Sequence, residues 1–396
     1  MISTKMKEMV EQSAALSAMF TEGKRLAEIY GAENVYDFGI GNPNVPAPET
    51  VRSAAMDLLQ HTDVLQLHSY TDSSGIPAVR KAIADSLNRR FGKAYTEQNL
   101  IMTVGAAGGL NVICKTLLDA GEEILTFAPY FGEYDNYAKN VGAVLRAVPP
   151  NPPDFLPDLN RMAEMITQRT KVVLINSPNN PTGVIYDAET IAKLADVLEQ
   201  KEKEFGTSIY LISDEPYREL AYDGRQVPDV TTYYHNAIVV YSYSKSLSLP
   251  GDRIGYLLIP STVDAFEDVI MGAGIANRVL GFVNAPALQQ MIVARCCEEV
   301  TDVAFYNGNR DLLYQALREY GYECAKPQGA FYLFVRALEE DDVAFCERAK
   351  QYRLLLTPGS AFGCKGYVRI SYCVARKTIE QALPSFLALA ESYQKK

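Results

Sequence analysis

Short apolar runs recur through the middle of the chain, at residues 100–104, 124–128, 144–148, 172–175, 209–212, 237–241 and 254–259. Runs this short and this continuously apolar read as strands covered on both faces. Helical patterns separate several of them. In the clearest, Ile191, Leu194, Ala195 and Leu198 follow a candidate N-cap, Asp187, at the spacing of one helix face. Strand and helix in alternation predict an α/β chain built on a mostly parallel sheet flanked by helices. In such sheets ligands sit beyond the carboxyl ends of the strands. That is where the unusual residues fall: Gly105-Ala106-Ala107 after the first run, Asn176 to Gly183 after the fourth, Asp214-Glu215-Pro216-Tyr217 after the fifth and Ser242-Tyr243-Ser244-Lys245 after the sixth.

A chain of 396 residues exceeds what one hydrophobic core usually serves, so two domains are expected, with a site between them. The large domain is placed at residues 46–280, and a smaller α+β domain at residues 1–45 and 281–396. Residues 8–30 read as a helix, with Met9, Leu16, Met19, Phe20, Leu26 and Ile29 recurring every three or four positions and Gly31 as the stop. A glycine-punctuated loop follows at 36–43, where Gly39 and Gly41 let a ligand approach the backbone; a plain domain linker explains the same glycines. Pro77 suits the first turn of a helix through Ala82, Ile83 and Leu87. Beyond residue 281 the pattern is helix, a strand around 330–335, a strand at 367–373 and a helical stretch interrupted at Pro384.

Charge and composition narrow the function. A net charge of -10 disfavours nucleic acid or an anionic membrane as the main partner and leaves small molecules. Of the 7 cysteines only Cys296-Cys297 are close, which indicates reduced thiols in place of a disulfide framework. His61, His68 and His235 show no ligand spacing, so no metal site is expected. No apolar run has membrane-spanning length, Glu8 and Glu11 stand where a secretory signal would be apolar, and the expected location is the cytoplasm.

Lys245 is the residue that packing explains least. It follows a buried strand directly, lies among hydroxyls and has Arg253 eight residues further on. An amine there can form a Schiff base with an aldehyde, and Ser242, Ser244 and Arg253 are what a phosphate needs nearby, which together suggest pyridoxal 5'-phosphate. That cofactor makes further demands. Its phosphate needs donors, and the backbone amides of Gly105, Ala106 and Ala107 offer them at a helix start, although an ordinary strand-to-helix connection reads the same way. Its ring nitrogen needs an anion, for which Asp214 is the candidate and N-capping the competing use. Its phenolate oxygen needs partners, and Tyr217 and Asn180 qualify, although Asn180-Pro181-Thr182-Gly183 is also a good turn. The ring wants a flat neighbour, and Phe131 is either that or core. In the strand at 367–372, Val368, Ile370 and Tyr372 share one face and Arg369 and Ser371 the other. Arg369 is then either a bidentate clamp for an α-carboxylate or half of a surface ion pair.

Taken in order, Asn180-Pro181-Thr182-Gly183, Asp214-x-x-Tyr217, Ser242-x-Ser244-Lys245 and Arg253 at lysine plus eight resemble the class I/II aminotransferases, PLP-dependent enzymes of fold type I related to aspartate aminotransferase. The resemblance implies that Lys245 bonds the cofactor and shuttles the proton, that Asp214 pairs with the ring nitrogen, and that Tyr217 and Asn180 contact the phenolate oxygen. It assigns the phosphate to Gly105, Ala106, Ala107, Ser242, Ser244 and Arg253, and the substrate's α-carboxylate to Gly41 and Arg369. Phe131 falls where the family usually stacks tryptophan or tyrosine. Tyr70 matches a tyrosine sent into the neighbouring subunit's phosphate site, which implies a homodimer with shared sites. Ala107 stands where one aspartate-specific subgroup has a lysine, and Arg278 lies within one residue of the arginine that another takes from its partner. The implied reaction exchanges an amino group between an L-amino acid, with aspartate or glutamate as candidates, and a 2-oxo acid. The competing readings are a carbon–sulfur β-lyase of the same fold, a PLP-binding regulator, opposed by the lack of a basic DNA-binding segment, and a fold that has lost the cofactor, opposed by Lys245, Asp214 and Arg253 together.

Overall fold

The computed structural model describes residues 2–394. In chain order its strands are β1 (Tyr36–Asp37), β2 (Leu100–Thr103), β3 (Glu123–Phe127), β4 (Val144–Val148), β5 (Thr170–Asn176), β6 (Tyr210–Asp214), β7 (Ala237–Ser242), β8 (Gly255–Leu258), β9 (Tyr332–Arg336), β10 (Leu354–Leu355), β11 (Thr357–Pro358) and β12 (Tyr367–Ser371). Strands β2 to β8 form one 7-stranded sheet in the order β2-β8-β7-β6-β5-β3-β4. Only β8 runs against its neighbours, so the expected mostly parallel sheet is what the chain builds.

The apolar runs are continuous because successive side chains feed different cores. Leu211, Val239 and Val173 enter the core on one face of the sheet, whereas Ile212, Val240 and Leu174 enter the core on the other. The exception is β4, whose Val144 is exposed and whose next three residues are only partly buried, so the expectation of cover on both faces fails there, although β2 at the opposite edge of the sheet is buried throughout. The helix Ala188–Phe205 starts where its pattern indicates, with Asp187 accepting from the Thr190 amide at 2.9 Å and Ile191, Leu194, Ala195 and Leu198 buried.

A third core gathers residues from β1, β9, β12, the helix Val303–Glu319 and the helix Arg376–Gln394, together with Tyr217, Leu220 and Tyr222. β9, β11 and β12 pair antiparallel, and β1 pairs parallel with β10. Two local expectations change. The last helix runs unbroken through Pro384, because Ile379, Ala382, Phe386 and Leu389 are buried on both sides of it, and that anchorage outweighs one missing backbone hydrogen bond. The strand expected around 330–335 begins only at Tyr332, since Ala330 has φ 57° and gives its amide to the Leu220 carbonyl. The first helix, Thr4–Tyr30, starts earlier than its apolar pattern, capped by Ser3, and ends at Gly31 as expected. Its Leu26 is buried but Ile29 is exposed, and the Leu16, Met19 and Phe20 side chains lie outside the described residues.

This architecture decides where loops meet. The parallel strands β2, β3, β5, β6 and β7 deliver their carboxyl ends to one edge of the sheet, and β8 begins there. β1 carries the loop at 38–41 to the same place: Phe38 donates to the Leu355 carbonyl, and the Ser371 amide at the end of β12 donates to the Phe38 carbonyl, at 3.0 and 2.9 Å.

Candidate active site

Lys245 sits in the single helical turn Tyr243–Ser246 that follows β7. Its Nζ donates to the carbonyl of Gly41 at 2.9 Å and lies 5.4 Å from the centre of the Phe331 ring. The loop at 36–43 is therefore part of the site and no mere linker. Burial lowers the Lys245 pKa to about 8; the nearby Cys373 thiol opposes that shift, and the Arg369 and Arg253 cations add to it. A neutral amine is the nucleophile. Pyridoxal phosphate added to the cofactor-free protein is expected to bond Lys245 at a rate that rises with pH and levels off above about 8. A stopped-flow absorbance series across pH checks this; a rate still climbing at pH 10 would mean an ordinary, solvated lysine.

Asp214 ends β6, and its neighbours exclude the N-cap use. Oδ2 accepts from Tyr134 Oη at 2.6 Å, inside a fully buried setting, while Oδ1 is buried with no hydrogen-bond partner. Burial raises the carboxyl to about 7, and the Tyr134 bond only partly offsets it. An orphaned buried carboxylate oxygen is costly unless a cationic N–H meets it. Asn176, opposite Asp214 in the sheet, donates Nδ2 to the Asp214 carbonyl at 2.8 Å and accepts the Asn180 amide at 2.7 Å. The 179–183 loop is thereby tied to the same strand end.

The anion cradle is built from three directions. Gly105, at φ 77°, opens the helix Gly105–Leu117 behind Val104, which supplies no side-chain cap. Gly255 opens β8 against it: a Cβ there would meet the Tyr241 carbonyl at 2.2 Å and the Gly105 Cα at 3.1 Å. That close backbone approach places Arg253 beside the turn, with Nη2 3.3 Å from the Val104 carbonyl. Ser242 and Ser244 share a hydrogen bond of 2.7 Å between their hydroxyls. Ala106 and Ala107 follow in the first helical turn, both partly buried.

Arg369 is no surface ion pair. It is buried, forms no salt bridge among the described residues, and gives Nη1 to Asn180 Oδ1 at 3.0 Å and Nη2 to the Gly39 carbonyl at 2.7 Å, leaving Nε buried without a partner. Its guanidinium lies 4.6 Å from the Tyr332 ring and 4.8 Å from the Phe362 ring. A buried cation met only by neutral acceptors calls for an anion.

Sequence reasoning overlooked Tyr134, Tyr332 and Phe362. Tyr134 lies three residues beyond Phe131, in the first turn of the helix Glu133–Val141 that follows it, and that proximity is the available signal. Phe131 itself is partly buried and stands edge-on to Tyr134 at 5.7 Å between ring centres. Tyr217, buried, donates to or accepts from Tyr332 Oη at 2.8 Å. The structure does not join Tyr70 or Arg278 to this cluster within one chain: both are exposed, and neither side chain hydrogen-bonds to any of these residues.

The residues fit pyridoxal phosphate on features of their own: an open carboxylate oxygen for a ring N–H, uncapped amides beside an arginine and two serines for a phosphate, and a buried amine of lowered pKa for an aldehyde. A family model for class I and II aminotransferases matches residues 33–386. The chain is 31% identical over 369 residues to an aspartate aminotransferase of Thermotoga maritima, covering 92% of this chain and 94% of that one. It is 32% identical over 351 residues to a probable aspartate/prephenate aminotransferase of Thermus aquaticus, covering 87% and 89%. Among solved structures, an aminotransferase from Eubacterium rectale superposes with a TM-score of 0.96 at 46% identity, covering 99% of each chain.

Proposed function

The chain belongs to the class I and II aminotransferases, and from that premise we propose that Lys245, Asp214 and Tyr217 are the catalytic residues of this pyridoxal phosphate-dependent enzyme. One observation carries the reading. Lys245 grips the carbonyl of Gly41 while Arg369 grips that of Gly39, so an amine and a carboxylate clamp meet on one short stretch of backbone. An α-amino acid presents its amino and carboxylate groups one carbon apart, which suits that spacing.

When bound, pyridoxal phosphate supplies an aldehyde and an electron-withdrawing ring that stabilises negative charge on the substrate's α-carbon. Lys245 Nζ would hold the aldehyde carbon and, as a buried amine whose pKa is lowered to about 8, would serve as the base that moves a proton at the substrate's α-carbon. Asp214 would hold the ring N–H through its unpartnered Oδ1 and keep it protonated, while Tyr134 holds the other oxygen. Tyr217 would donate to the phenolate oxygen, and so would Asn180 Nδ2, since Asn180 Oδ1 is engaged by Arg369. The amides of Gly105, Ala106 and Ala107 with Ser242, Ser244 and Arg253 would hold the phosphate, Phe131 would pack on the ring, and Arg369 and Gly41 would bind the substrate's carboxylate.

The assembly we propose is a homodimer with shared sites. Tyr70 is 87% exposed, and beside it Val64, Leu65 and, at helical spacing, Met271, Ile275 and Val279 are exposed apolar residues. Asn277 Nδ2, bonded to the Ser73 carbonyl at 2.7 Å, joins the two segments into one surface. Tyr70 and Arg278 would act in the partner's site. We propose a large unit and a small one, for which the third core speaks, but the boundary expected at 280/281 needs to move toward the C-terminus: Ala285, Ile292, Val293 and Cys296, around the helix Ala287–Cys296, pack in the first core with the large sheet. Among the described residues no helix is long and apolar enough to cross a membrane, and the proposed location is the cytoplasm.

Aspartate and glutamate are the proposed donors, recognised through Arg278. Without any oxo acid present, the lysine-bonded cofactor's absorption band is expected to give way to that of the pyridoxamine form on adding aspartate, and Arg278→Ala should lower kcat/KM for aspartate relative to alanine by about 10-fold or more. An unchanged ratio sinks the role of Arg278. Steady release of pyruvate and ammonia from a cysteine derivative, with the band returning, would favour the β-lyase reading.

A further inference from the structure

Tyr332 opens β9 at the junction of the whole site. Its hydroxyl lies 2.8 Å from Tyr217 Oη, and its ring faces the Arg369 guanidinium. A Cβ on Gly41 would fall 2.2 Å from Tyr332 Oη, so the hydroxyl rests against the residue whose carbonyl holds Lys245. Packing alone asks only for a ring at this buried position, and phenylalanine would fill it. Among the described residues the hydroxyl has a single partner, the hydroxyl of Tyr217. Burial pushes the Tyr332 phenol up to about 12 and raises that of Tyr217 well above its ordinary value, so both keep their protons at neutral pH. Two hydroxyls joined by one hydrogen bond leave one proton to point elsewhere. When Tyr217 turns its proton to an acceptor in the site, only Tyr332 is placed to donate behind it.

We infer that Tyr332 is a positioning residue: it donates its hydroxyl proton to Tyr217, which aims the Tyr217 proton at the cofactor's phenolate oxygen and strengthens that hydrogen bond. The inference rests on the proposed placement of Lys245 and Tyr217. The groups that bear on the linked titration are Cys373, Arg369 and Arg253 around Lys245, Arg369, Cys373 and Tyr217 around Tyr332, and Asp214 with Arg369 around Tyr217. All of them remain in a Tyr332→Phe protein except the hydroxyl itself.

The test is a spectrophotometric pH titration of the holoenzyme's cofactor band in wild type, Tyr332→Phe, Tyr217→Phe and the double variant. The proton read out is the one shared between the bonded Lys245 nitrogen and the phenolate oxygen. A donor to that oxygen favours the form without the proton, so losing the donor raises the midpoint. Tyr332→Phe is expected to raise it by about half a pH unit to one unit, less than Tyr217→Phe, and to add nothing in the Tyr217→Phe background. A shift with Tyr217→Phe but none with Tyr332→Phe overturns the inference and leaves the site reading intact. Equal shifts from Tyr332→Phe with and without Tyr217 also overturn it, since the effect then bypasses Tyr217. Failure of both variants to move the midpoint removes Tyr217 from the phenolate oxygen and the inference with it.

Discussion

Lys245→Ala is expected to lower kcat by about 10⁵- to 10⁶-fold, the scale on which loss of a covalent and proton-transferring group acts. On the proposed assignment two tasks vanish at once with this side chain: the bond to the aldehyde and the base at the α-carbon. No neighbour can take them over. Cys373 is the nearest candidate, but burial pushes its thiol up to about 12, so it stays a neutral, weak base. The phosphate cradle is untouched, since Gly105, Ser242, Ser244 and Arg253 do not rely on Lys245 for any hydrogen bond. Cofactor should therefore still bind, without the spectral signature of a lysine bond. Steady-state kcat with a good donor and the absorption spectrum measure the two effects together. A loss of less than about 100-fold would place the essential base elsewhere.

For Asp214→Asn we expect kcat/KM to fall by about 10³-fold, because the asparagine cannot hold the ring nitrogen in its protonated state. The substitution separates chemistry from folding. In the cofactor-free protein burial raises the Asp214 carboxyl to about 7 from an ordinary value near 3.8. A raised folded-state pKa contributes stability that is full below the unfolded value and lost as pH climbs through about 7. Above pH 7 the folded protein therefore carries a buried, partly orphaned carboxylate, and a neutral amide in its place relieves it. The cofactor-free Asp214→Asn protein should melt no lower than wild type at pH 8, while the holoenzyme loses activity. A clearly lowered Tm at that pH would mean that Asp214 serves the fold, with the activity loss following from it.

Much of the molecule was legible because its signals are local or periodic. Asp187 with Ile191, Leu194, Ala195 and Leu198 marks a capped amphipathic helix in a single window, and the runs at 209–212 and 237–241 mark β6 and β7 by continuity alone. Lys245 and Asp214 stood out because they end apolar runs, where nothing in packing needs a charge. Less legible was anything that depends on a neighbour distant in sequence. Val144 reads as buried because a short, mostly apolar stretch does not reveal which of its residues distant parts of the chain cover. Pro384 read as a break because the sequence shows the missing donor but not the burial of Phe386 and Leu389 that holds the helix together. Tyr332 is, in the sequence, one aromatic among the apolar residues of 330–335, and nothing local marks it as different.

By itself the sequence determined the order of strands and helices, the mostly parallel sheet and the amine, carboxylate and arginines that pyridoxal phosphate chemistry needs, since each follows from residue type and spacing within a short window. Only the tertiary structure decided what those groups face. Arg369 acquired its setting once β12 buried it beside Asn180 and Gly39 with no salt bridge among the described residues, and Asp214 acquired its raised pKa only when the sheet closed around it, with the Tyr134 bond partly offsetting that rise. The reason is physical: charge and proton affinity are set by solvent access and by neighbours across space, and those come into being when the chain packs.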